Sequence, residues 1–120
     1  MKRLNNAVGA IGEVDAAKFL QNKKYKILET NYKNKLGEID IIALQNKVIV
    51  FVEVKNRSTL VFGMPSESVT PQKQYRIRRT AEAYLQKNKM LDSDCRFDVI
   101  EVVGTHINHI ENAFWKESFF

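Results

Sequence analysis

Asp40, Glu53 and Lys55 are the residues of this chain whose types and spacing could do chemistry. They fall in two strongly β-forming runs, residues 37–44 and 48–55, separated by three polar residues, and the pattern reads as a hairpin. With Asn46-Lys47 as the loop, Gln45 pairs with Val48. Counting outward sets Asp40 opposite Glu53 and Glu38 opposite Lys55. Directly opposed residues share a face, with Cβ atoms roughly 5 Å apart. Two carboxylates held that way repel unless a cation lies between them. A divalent metal is the simplest such cation. Hard oxygen ligands hold Mg²⁺ or Mn²⁺ and leave positions open for water and a phosphate. Asp40 and Glu53 can supply two of these ligands, and the backbone carbonyl of Val54 a third. Such an ion acidifies water and stabilises charge on the phosphate. Lys55 can orient that water or neutralise the transition state. Glu38 could bind a second metal or pair with Lys55, and a supporting role is preferred. The chemistry implied is metal-dependent phosphodiester hydrolysis.

The elements that must position these groups follow from hydrophobic spacing. Residues 5–22 read as a helix, with Ala7, Ile11, Val14, Ala17 and Leu20 on its apolar side. Gly9 and Gly12 inside it point to close packing on a sheet. A first strand is expected from Tyr25 to Tyr32, then a polar turn from Asn31 to Lys35. In the second run Glu38, Asp40 and Ile42 share a face, and Ile39, Ile41 and Ala43 the other. In the third, Val48, Val50, Val52 and Val54 share one face, and Ile49, Phe51, Glu53 and Lys55 the other. Both faces are apolar until the end, so this strand is central and covered on both sides. Glu53 and Lys55 then stand at the rim of a core, where burial is costly without a partner.

Residues 56–69 read as a loop whose Leu60, Val61, Phe62 and Met64 suggest a flap. Thr70-Pro71 is a helix start, a hydroxyl cap followed by proline at the first helical position. That helix should run to about residue 88, with Ile77, Ala81, Tyr84 and Leu85 inward. Gln72, Lys73, Arg76, Arg79, Gln86 and Lys87 are expected on the opposite side. A strand at 96–103, with Phe97, Val99 and Glu101 on one face, and a weaker one at 106–114 complete the chain. The order is helix, three strands, helix, two strands. It implies a single 1–120 domain of the α/β class, with α/β/α layers around a mixed sheet of four or five strands.

Composition sets the class of partner. The 120 residues suit one core, and 44% hydrophobic with 28% charged residues argues against disorder. No apolar run approaches the roughly 20 residues needed to span a membrane, and Met1 to Asn6 has no apolar stretch behind its basic residues. Cys95 is the only cysteine, which excludes an internal disulfide and a thiolate zinc cluster. A cytoplasmic protein is expected. The net charge of +5 favours polyanions, nucleic acid first. Lys73, Arg76 and Arg79, with Arg57 just beyond Lys55, form a candidate phosphate track.

Asp40 followed by Glu53-Val54-Lys55 resembles the Asp…(Asp/Glu)-x-Lys signature of the restriction-endonuclease-like superfamily. Together with Gly12-Glu13 on the first helix, Gly37-Glu38-Ile39-Asp40, Phe51 to Lys55, and Lys73-Gln74 with Arg76, the chain is similar to the YraN-like family of predicted endonucleases. That family in turn resembles archaeal Holliday-junction resolvases. The resemblance runs from Gly12 to Val103. It implies a restriction-endonuclease-like fold, DNA as substrate with a leaning toward branched structures, Asp40, Glu53 and Lys55 as catalytic and metal residues, and Glu13 reaching the site from the first helix. The proline that precedes the first acid in many restriction enzymes is replaced by Ile39. The Gln-x-x-x-Tyr motif of the exonuclease branch is absent, since Arg76 stands four residues after Gln72. That departure argues against an exonuclease.

Other readings of the same residues stay open. Asp40, Glu53 and Lys55 could form a structural ion-pair network. The alternative function is a non-catalytic nucleic-acid-binding protein on the same fold, and a third is an interaction module using the aromatic tail. His106 and His109 read as surface residues, and Cys95 as structural or incidental. Phe114, Trp115, Phe119 and Phe120 either pack back on the sheet or form a homodimer surface.

Overall fold

The computed structural model describes residues 2–57 and 69–114, with the side chains of 12–56 and 69–114. Helix α1 spans Lys2–Asn22, strands β1 Lys26–Asn34, β2 Gly37–Gln45 and β3 Val48–Arg57, helix α2 Pro71–Lys87, and strands β4 Asp94–Val103 and β5 His106–Phe114. The expected order of elements is the observed one. The strands form one sheet in the order β1-β2-β3-β4-β5. All neighbours are antiparallel except β3 and β4. A parallel pair needs a crossover, and α2 lies in the segment that makes it.

The helices cover opposite faces. Ile42, Ile49, Phe51, Phe97 and Val99 pack with Ile77, Ala81, Tyr84 and Leu85 of α2. Ile41, Ala43, Val50, Val52 and Ile100 pack with Ala16 and Leu20 of α1. β3 is buried on both faces, as its alternating Val and Ile/Phe positions require. One face assignment differs from expectation: Ile39 joins the α2-side cluster rather than that of Ile41 and Ala43. The β2–β3 register ends at Ile41–Val52, so strict alternation lapses where the strand is no longer held against β3.

Local chemistry fixes the pieces beside the site. Thr70 Oγ1 accepts from the Lys73 amide at 3.2 Å, and Pro71 opens α2. A Cβ on Gly37 would stand 2.9 Å from Thr80 Oγ1, and that hydroxyl is held by donation to the Arg76 carbonyl at 2.7 Å. Glycine therefore lets the β1–β2 connection press against α2. Asn34 Nδ2 donates to the Thr80 carbonyl at 3.4 Å and adds to the same contact.

At the other end of the sheet lies a polar network that the sequence reading missed. Asp98 is fully buried and accepts from Arg96 Nε at 3.0 Å and from the Asn112 amide at 2.9 Å, with His109 Nε2 at 2.7 Å. Arg96 also donates to Gln45 Oε1 and to the Tyr25 hydroxyl. Burial would raise the Asp98 carboxyl, but His109, Arg96 and the Asn112 amide outweigh it and hold it low. His109 is therefore an interior residue, its side chain 3% exposed, whereas His106 is exposed as expected. Phe114 packs back on the sheet, stacked on Phe97 with centroids 5.1 Å apart. Trp115, Phe119, Phe120 and the 58–68 part of the expected flap lie outside the described residues.

Candidate active site

The hairpin register is the expected one from Gln45–Val48 to Ile41–Val52. It stops one pair short of Asp40 and Glu53. In place of a further ladder bond, Asp40 Oδ2 accepts from the Val54 amide at 2.7 Å. The two strands part here, and the aspartate side chain bridges the opening. A strand residue turns its N–H and C=O to the same neighbour, so the Val54 carbonyl also faces β2.

Asp40 and Glu53 come together in this opening, joined by a side-chain hydrogen bond. Two carboxylates can share one only if a proton lies between them. Burial first, then the hydrogen bond and the negative charge of Glu53, push Asp40 up to about 8, against the opposing pull of the Val54 amide. Glu13 of α1 adds to the same negative field. Its own carboxyl is raised by burial and by Glu38 and Glu53, and lowered by a hydrogen bond with Asn31.

Two amines complete the cluster. Lys73 Nζ lies 3.2 Å from Glu53 Oε2. Lys55 stands beside Lys73, and the two amines act on each other. Burial first, and Lys73 second, pull Lys55 below the ordinary lysine range. Burial works in the same direction on Lys73, but Lys55 and Glu53 overcome it and raise that group.

Some expectations for these residues need correction. Lys73 borders the same surface as Arg76 and keeps 43% of its side chain exposed, but its amine turns to Glu53. It lies one turn before Ile77 and two before Thr80 and Ala81, at the edge of the buried stripe of α2; that spacing was the signal available in the sequence. Glu38 does not pair with Lys55. It stands 3.7 Å from Lys33, with both side chains largely exposed, because the register that would oppose it to Lys55 has ended. Arg76 is exposed, and Arg79 is shared between Glu82 at 4.0 Å and the Tyr75 ring. Arg57 closes β3, and its side chain lies outside the described residues.

Among the described residues, no three or more His, Cys, Asp or Glu side chains gather as a metal cage. The oxygen set at the opening is two carboxylates and the Val54 carbonyl. Among them, too, no helix is long and apolar enough to cross a membrane.

Fold and site together define an α/β protein with a mixed five-stranded sheet between two helices and paired carboxylates and amines at one sheet end. The chain belongs to the uncharacterised protein family UPF0102, whose model matches residues 12–102. It is 53% identical over 117 residues to a UPF0102 protein of Alkaliphilus oremlandii, covering 92% of this chain and all of that one. Another, from Caldanaerobacter subterraneus subsp. tengcongensis, is 47% identical over 122 residues, covering 95% of this chain and all of the relative. A Clostridioides difficile relative is 49% identical over 112 residues, covering 92% and 98%.

Proposed function

We propose that this chain is a Mg²⁺- or Mn²⁺-dependent endonuclease that hydrolyses phosphodiester bonds in nucleic acid, DNA first, at branched or otherwise structured positions. The observation that carries the reading is the Asp40–Glu53 contact: two carboxylates meet in the opening of a hairpin, beside a carbonyl and two amines. The restriction-endonuclease-like resemblance of Asp40 and Glu53-Val54-Lys55 supports it. So does the net charge of +5.

The donor set suits a hard divalent ion. Mg²⁺ commonly takes one or two carboxylates and completes its shell with water and phosphate, so the lack of a third clustered acid does not count against it. Asp40, Glu53 and the Val54 carbonyl would hold the ion. When bound, it would acidify water and offset charge on the phosphate. Lys55 would orient the attacking water. Lys73 keeps Glu53 in place and offers positive charge to the phosphate. Glu13 raises the negative field that draws the cation, and Glu38 is peripheral support. Arg57, Arg76 and Arg79 carry the backbone track. We place the activity in the cytoplasm.

A second reading, a non-catalytic nucleic-acid binder, is favoured by one observation. Lys73 already supplies a cation to Glu53. Incubation with nicked, branched and single-stranded DNA, with and without Mn²⁺, separates the two. Metal-dependent cleavage that is lost in Asp40→Asn, with binding retained, supports the enzyme. Cleavage that survives Asp40→Asn sinks the site, and binding without cleavage selects the second reading. A homodimer through the aromatic tail is a separate proposal, checked by solution mass after deletion of Phe119-Phe120.

A further inference from the structure

Two cavities lie along the contact between the β1–β2 turn and α2. One, of about 530 Å³, is bordered by Lys33, Lys35, Leu36 and Arg76. The other, of about 320 Å³, is bordered by Gln72, Lys73, Ile77 and again Arg76. They share Gly37, Glu38 and Arg76, and so form one trough. Its inner end reaches Lys73, which touches Glu53. Four cations border the trough, Lys33, Lys35, Lys73 and Arg76, against one carboxylate, Glu38.

The walls are held in place. The Leu36 amide donates to Asn34 Oδ1 at 2.8 Å, Asn34 reaches the Thr80 carbonyl, and Gly37 packs on Thr80. The turn is thereby tied to the helix. Leu36, 45% exposed, borders the trough, and Tyr75, which precedes Arg76 on α2 and is 55% exposed, lies outside both linings with Arg79 over its ring at 6.0 Å. Neither serves the core.

We propose that this trough holds an unpaired nucleic-acid strand, so that the substrate carries a single-stranded segment beside the cleaved bond. Duplex surfaces present phosphates but keep base faces stacked inside. An unpaired strand offers both, and groups of cations interleaved with exposed aromatic or apolar platforms match it. Lys33, Lys35 and Arg76 take the phosphates, Leu36 takes a base face at the trough, and Tyr75 takes one where the strand leaves the trough across α2. The proposal rests on the nuclease reading for the position of the cleaved bond, at Asp40 and Glu53.

The test is fluorescence anisotropy in EDTA, with a labelled single strand, a blunt duplex of the same sequence and the duplex with an overhang. Wild type should bind the single strand and the overhang at least tenfold more tightly than the blunt duplex. Lys35→Glu should weaken all three. Tyr75→Ala combined with Leu36→Ser should weaken the first two about tenfold, in line with the stacking worth of aromatic platforms, and the blunt duplex less than twofold. Both replaced residues are exposed, and unchanged melting of the double variant confirms that it folds. Equal affinity for all three ligands, or equal losses on all three in the double variant, overturns the proposal. Metal-dependent cleavage without this binding pattern overturns the trough alone. The pattern without any cleavage by wild type supports the trough and overturns the nuclease reading.

Discussion

Asp40→Asn should make the protein more stable at alkaline pH. In the folded protein this carboxyl is pushed from an ordinary 3.8 up to about 8. Between those values the folded state keeps a proton that the unfolded chain has released. Stability therefore falls as pH rises through that window and levels off above about 8. At about 1.4 kcal/mol per pKa unit, ionising Asp40 in place costs roughly 5 kcal/mol by pH 8. Asp40 is only half-buried, and water reaching it screens part of that cost. Asparagine keeps the shape. Its oxygen can still accept from the Val54 amide, and its amide group can donate to Glu53 where aspartic acid needed a proton. The weaker, uncharged acceptor gives back about 1 kcal/mol. The expected net gain is about 2 kcal/mol at pH 8, or roughly 8 °C in melting temperature for a chain of this size. It should shrink steadily toward pH 5. Melting curves of both proteins in EDTA, at half-unit steps from pH 5 to 8.5, measure it. A variant that is less stable throughout, or a difference that does not change with pH, would refute the claim that the two carboxylates are forced together.

Mn²⁺ should raise the melting temperature of the wild type more at pH 8 than at pH 6, because proton and metal compete for Asp40. A hundredfold excess over Kd is worth about 2.7 kcal/mol, and an equal rise in Asp40→Asn would count against these ligands. Asp98→Asn should cost about 3–5 kcal/mol at neutral pH, measured by urea unfolding, since it strands Arg96 and His109. The Asp98 carboxyl is held low, so its contribution is present above the unfolded value and lost as pH falls through the folded one; the variant's acid unfolding should be correspondingly shallower. Gly37→Ala should cost about 1–3 kcal/mol by overpacking against Thr80, with partial recovery in the double variant carrying Thr80→Ala. Full stability in the single variant would contradict the close contact.

The layering was legible because it follows from local repeats. Alternating Val and Ile/Phe in β3, the Thr70-Pro71 start of α2 and the inward set Ile77, Ala81, Tyr84 and Leu85 each announce themselves within a few residues of chain. The hairpin register was legible for the same reason, since a two-residue loop leaves one pairing that keeps both faces consistent. Lys73 was half legible. Its helical angle puts it at the edge of the buried stripe, but a lysine reads as solvent-facing until a carboxylate is known to stand opposite it. The end of the β2–β3 ladder and the turn of Ile39 toward α2 gave no local sign. His109 looked like a surface residue of a weak strand, and became interior because Asp98 of β4 meets it and the Phe19 and Tyr25 rings close over it.

Residue order along the chain thus decided which segments are strands and helices, which faces are apolar, and that Asp40 and Glu53 would meet, because periodicity and turn length are short-range constraints. Folding in three dimensions decided the rest: where the strands part, that Lys73 answers Glu53, how Gly37 seats a basic turn on α2, and that a charged network closes the far end. Those outcomes depend on desolvation and charge between groups distant in the chain, which no local pattern encodes.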